Sequence, residues 1–166
     1  MESSNMKLKT FVLLFASLSL GWSAAFAQAV PDLLLQGKTL LEQNKTDSAV
    51  MCFEKVLTLD SNNYDALAYL CNYHFLLGQK ALDKVETVYL AHESPTRMQV
   101  AQYNQDLIGI YNLYFSKAEK YLIQAYLIRR NDHLDDLAGQ IADFKERIGL
   151  LAPGTKKSWL KRMLPL

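Results

Sequence analysis

The chain has 166 residues, half of them apolar and 21% charged, with a formal net charge of +1. That balance suits one folded domain and excludes an intrinsically disordered chain. It provides no field to steer nucleic acid, so no nucleic-acid partner is expected.

The first element is a targeting segment. Lys7 and Lys9 precede an apolar run from Phe11 to Leu20, and Ala25-Phe26-Ala27 comes next, before Gln28. Small residues at Ala25 and Ala27 are what a signal peptidase reads, so residues 1–27 are expected to be a cleaved signal peptide; cleavage after Ala29 fits nearly as well. The run is short for a spanning helix. No cysteine lies near the cleavage point, which argues against a lipid anchor. Starting at Met6 instead changes nothing in this reading. Losing Lys7, Lys9 and Glu2 leaves 16 basic and 16 acidic side chains. With no later apolar run of spanning length, the mature chain is expected to be soluble in the periplasm or secreted.

The remainder is helical in pattern. Leu33, Gly37 and Leu40 form one stripe, which stops at Glu42-Gln43-Asn44-Lys45-Thr46-Asp47. Ala49, Phe53, Val56 and Leu57 form a second, which stops at Asp60-Ser61-Asn62-Asn63. Short polar side chains compete for backbone hydrogen bonds there and favour turns and caps. Leu67, Leu70, Cys71 and His74 restart the pattern. Two helices and two turns in roughly 34 residues is the period of a helix-turn-helix solenoid.

On those residues the chain resembles the tetratricopeptide repeat family. Leu33, Gly37 and Leu40 supply the large, small, large residues of a first helix, and Ala49, Phe53 and Val56 the small, large, small of a second. The exit Leu57-Thr58-Leu59-Asp60-Ser61-Asn62-Asn63 also matches, although Ser61 replaces the common proline, Val56 is larger than usual and Gln36 departs from the pattern. A second unit starts at Tyr64, with Gly78 at its turn and Ala81, Val85 and Val88 on a second helix. A third combines a first helix over about 97–114, marked by Val100, Tyr103, Leu107, Ile110 and Tyr114, with a second marked by Ala118, Leu122 and Ala125. Leu134, Leu137, Ile141, Phe144 and Ile148 make a narrow stripe on a last helix, read as a cap. The fold expected is therefore all-α, a right-handed solenoid of about three helix pairs plus a capping helix, spanning residues 28–150.

The resemblance implies a non-catalytic protein- or peptide-binding adaptor or scaffold, working through its concave face in the periplasm or cell envelope. Lys38, Leu41, Asn72, Phe75 and Leu76 fall at groove positions. Asparagine can hold an extended backbone through both its donors and its acceptor. The family's clamp for a terminal carboxylate is not implied, because only Lys38 and Asn72 approach it. Catalytic motifs are missing, so no enzyme, cofactor or metal is expected. His74 sits at an apolar repeat position, and His133 with Asp136 is too small a set to hold a metal. The tyrosines of the third pair, Tyr103, Tyr111, Tyr114, Tyr121 and Tyr126, read as packing residues.

Cys52 and Cys71 lie on adjacent helices, either as a disulfide or as two small buried residues. Residues 151–166 form a basic amphipathic tail. Trp159, Leu160 and Met163 face one way, and Lys156, Lys157, Lys161 and Arg162 the other. Such a segment can pack on the last repeat, dock on a partner or lie on an anionic membrane, which gives the alternative of a membrane-surface assembly factor. Asn44-Lys45-Thr46 is an N-glycosylation pattern, and Asp47-Ser48-Ala49 resembles an O-glycosylation signal.

Overall fold

The computed structural model describes residues 28–163; the expected signal peptide, residues 1–27, lies outside the described residues, as do residues 164–166 of the tail. The described residues are helical, with no strand. They divide into two compact units, one ending at Ser61 and one beginning at Asn62.

The first unit is a short helical pair, α1 (residues 28–42) and α2 (Thr46–Leu59). Its polar break ends α1 through Asn44, whose φ of 58° is left-handed. The amide of Lys45 donates to the Leu40 carbonyl at 2.8 Å and that of Asn44 to Leu41 at 2.9 Å. These two bonds satisfy carbonyls that the helix end would leave orphaned. Gly37 is where the helices touch: a Cβ there would lie 2.9 Å from Cζ of Phe53.

The second unit opens with α3 (Tyr64–Leu90), capped by Asn63, whose side chain accepts from the Ala66 amide at 3.2 Å. α3 runs through Gly78 without a break, so the turn expected there does not exist. Across from it, α4 (Arg97–Ile110), a π-turn (Tyr111–Phe115) and α5 (Ser116–Ile128) join end to end with helical backbone at both joints. α3 packs along all three. Tyr89 stacks on Tyr103, Phe75 meets Phe115, and His74 stacks on Tyr121, which fixes an antiparallel register. The expected second and third pairs are thus one long hairpin. Its 27-residue arm is about 40 Å long.

α6 (Asp132–Arg147) starts at Asn131, which accepts from the Leu134 amide at 2.8 Å. It ends at Gly149, whose φ is 74°. Asp132 and Asp135 lie in the first turn and Lys145 and Arg147 in the last, each favourable to the helix dipole. α6 packs on α5 and carries α7 (Lys156–Met163). Its buried face is wider than the narrow stripe expected, because Ala138 and Ala142 are also fully buried. Leu134, Ala138 and Ile141 repeat the large, small, large spacing of Leu33, Gly37 and Leu40. The helix read as a cap is followed by the short α7, which packs on it.

Candidate functional site

The sequence places five residues at groove positions. Lys38 and Leu41 lie on α1 in the first unit, exposed and half-buried respectively. Asn72, Phe75 and Leu76 lie on α3 in the second unit. Asn72 is half-buried and Leu76 is 53% exposed. Phe75 corrects the expectation that it would offer a free ring. It is buried, edge-on to Phe115 at 5.5 Å, and Phe115 lies 4.7 Å from Phe144.

These three rings floor a cleft of about 270 Å³ between α3 and α6. Gln79, Leu82, Gln140, Asp143 and Arg147 form its walls. Gln79 donates to Gln140 across it at 3.1 Å. Arg147 pairs with Glu86 at 2.5 Å and donates to the Tyr103 hydroxyl. The cleft exists because α3 is continuous: Gln79, Leu82 and Glu86 come after Phe75 at steps of four, three and four, on one helical face. An aromatic floor with a polar rim can take an apolar side chain while hydrogen-bonding the backbone that carries it.

A second cleft, of about 310 Å³, opens near the hairpin tip between α3 and α4. Lys84, Val85, Val88 and His92 line one wall, and Gln99, Gln102 and Asp106 the other. Tyr89 and Tyr103, stacked 4.1 Å apart, also line it.

Between α5 and α6 lies a buried ion pair that sequence reasoning passed over. Lys145 donates to both oxygens of Glu119, at 2.9 and 3.1 Å, and the Tyr111 hydroxyl donates to Glu119 at 2.7 Å. Burial, then the Glu119 hydrogen bond and charge, pushes the Tyr111 phenol above its ordinary range. Glu119 occupies an apolar phase, Phe115–Glu119–Leu122–Tyr126, which is a signal that a stripe count could have found. Tyr126 is likewise held by the Asp135 carboxylate, its phenol pushed up to about 12 by burial first and by that hydrogen bond second.

The tail departs from its membrane reading. Trp159, the ring that would enter a bilayer, is 7% exposed and lies 4.6 Å beneath the Lys145 ammonium. Lys156 pairs with Asp143, and its amide donates to Glu146. Leu160 is half-buried, and Lys157, Lys161 and Arg162 remain exposed. α7 is thus a packed part of the second unit.

Cys52 and Cys71 are both buried free thiols, with no bond between them, and burial raises the Cys71 pKa to about 12. A thiol so resistant to ionising behaves as a small apolar residue. His74 is a packing residue, stacked on Tyr121 at 5.8 Å with Tyr73 at its edge. Its Nδ1 is buried without a hydrogen-bond partner. Burial, and then the Lys117 charge, lowers its pKa below 6.5. Among the described residues no group of side chains is arranged to hold a metal, and no helix is long and apolar enough to cross a membrane.

No family model matches the chain, and no curated protein matches it. A crystal structure from Bacteroides ovatus does, with a TM-score of 0.68 and 25% sequence identity over 72% of this chain. That protein bears the name "putative protein binding protein". The match spans 58% of its length, so much of it has no counterpart here.

Proposed function

We propose that this protein is an exported, non-catalytic adaptor of tetratricopeptide type that binds a protein or peptide partner in the periplasm or cell envelope. The observation that carries the reading is the α3–α6 cleft. Its floor of Phe75, Phe115 and Phe144 is apolar, its rim is polar, and Leu76 stands exposed on the α3 turn beside it. The name of the Bacteroides ovatus protein supports a protein partner, and the sequence of residues 1–27 supports export. The large, small, large spacing on α1, α3 and α6 supports the repeat type. On this reading those helices are the first members of their pairs, the class that forms the binding face in that family. The π-turn adds to this, since such turns recur at functional sites.

In-cell photo-cross-linking tests the reading. A photoreactive residue at Leu76 should yield adducts with a defined partner, whereas one at Leu127, which is more exposed but on α5, should not. Equal labelling at both positions, or none at Leu76, would remove the cleft as the binding site.

A further inference from the structure

We propose that the tip of the long hairpin is a docking surface for a second copy of this chain, in a two-fold arrangement that sets Lys84 of each copy against Asp106 of the partner subunit. The cleft has unlike walls. α3 contributes Lys84, Val85 and Val88, and α4 contributes Gln99, Gln102 and Asp106. The register places the two charges together: Gly78 meets Phe115 and Tyr89 meets Tyr103, so Lys84 and Asp106 fall within one turn of the same height. The charged group of the α3 wall is Lys84 and that of the α4 wall is Asp106. Asp106 accepts a neutral hydrogen bond from Gln102 at 2.9 Å, which leaves its charge uncompensated by that contact.

A two-fold axis along the hairpin lays α3 of one copy over α4 of the other, and each Lys84 then meets a carboxylate. An axis across the hairpin instead lays α3 on α3 and brings like charges together. The surface is therefore complementary to itself in one orientation, as an isologous interface requires. Two further features fit a helix laid across this face. Val88, at the rim, is 67% exposed and would be covered. Gly109 continues the α4 stripe from Gln102 and Asp106, and a Cβ there would meet nothing within 4 Å, which leaves room for a close approach. The unlike charges steer the encounter and fix its orientation, and the apolar rim adds the buried area.

Sedimentation equilibrium of the mature chain, run over a range of concentrations and at low and high salt, provides the test. The wild type should self-associate, more weakly at high salt. Lys84→Glu and Asp106→Lys should each weaken the dimer roughly tenfold or more, and the double variant K84E/D106K should recover it. Val88→Glu should also give monomer, and thermal melts of each variant establish that it is folded. A wild type that stays monomeric at every concentration overturns the proposal. So does a dimer indifferent to both single reversals, or one that the double variant fails to restore. Loss of a different protein's binding on Val88→Glu, with a monomeric wild type, would overturn it in favour of an unlike partner.

Discussion

The α1–α2 pair and the long hairpin share one contact and differ in everything around it. In each, a glycine on one helix receives a phenylalanine from the next. A Cβ on Gly37 would come within 2.9 Å of Phe53, and one on Gly78 within 2.8 Å of Phe115. In the first pair the chain turns back within a few residues of the contact. In the second it travels on to Leu90, reverses at 91–96 and returns through α4 before the contact is made. The residues C-terminal to each glycine make the difference. Gln43-Asn44-Lys45 provides a residue able to adopt positive φ, whereas Leu77, Gln79, Lys80, Ala81 and Leu82 around Gly78 are strong helix formers. A lone glycine weakens a helix by about 1 kcal/mol but does not end it. The hairpin's reversal falls instead at Ser94-Pro95-Thr96, where Thr96 and Gln99 form a capping box.

The largest break in this comparison should come from Lys145, whose partner Glu119 ties α5 to α6 only in the second unit. Lys145→Met leaves a buried carboxylate without its cation, and denaturant unfolding should show a loss of about 3–5 kcal/mol. A loss under 1 kcal/mol would mean that water reaches the pair. Next come the two glycines. Gly78→Ala should cost about 1–3 kcal/mol, because Phe115 is wedged against Phe75 and Phe144 and cannot swing away. Gly37→Ala should cost no more than this. If Gly78→Ala instead stabilises, helix propensity has outweighed packing and the ring has somewhere to go.

Smaller effects sharpen the contrast between connectors. Asn44→Ala should cost about 1 kcal/mol and Asn44→Gly close to none, since only the left-handed backbone at that site is at stake. An equal loss in both would point to a side-chain role for Asn44. His74 provides the smallest effect. Its folded pKa lies below 6.5, so the unfolded chain binds the extra proton first as pH falls. Stability is whole above pH 6.5 and declines below it. His74→Phe should flatten that decline in melts taken between about pH 5 and 7.5, and an unchanged slope would assign the dependence to other groups.

Much of the fold was legible in the sequence. The stripes of α2 and α5 and the two polar breaks at Asn44 and Asn63 stand where the periodicity placed them, whereas Val88 and Val100, read as stripe residues, are exposed. The illegible parts came from context. Ala138 and Ala142 look neutral in a stripe count and are fully buried. Gly78 reads as a turn until its neighbours' propensities are weighed. Of the candidate site, Leu76 is exposed and Asn72 half-buried on α3, whereas Phe75 serves as the floor of a cleft with one wall from α3 and the other from α6. Sequence spacing along one helix cannot show which distant helix will face it, and Gln140, Asp143 and Arg147 lie more than 60 residues further on.

Everything at the cleft depends on the continuity of α3 through Gly78, because Gln79 and Leu82 line it, and Glu86 meets Arg147, only if the helix does not turn. Amide hydrogen exchange across residues 76–86 measures it directly. A continuous helix predicts protection at Gln79, Lys80, Ala81 and Leu82 comparable to that at Leu70 and Cys71. Fast exchange confined to those four amides would mean a turn at Gly78 and would dissolve both the long hairpin and the cleft built on it.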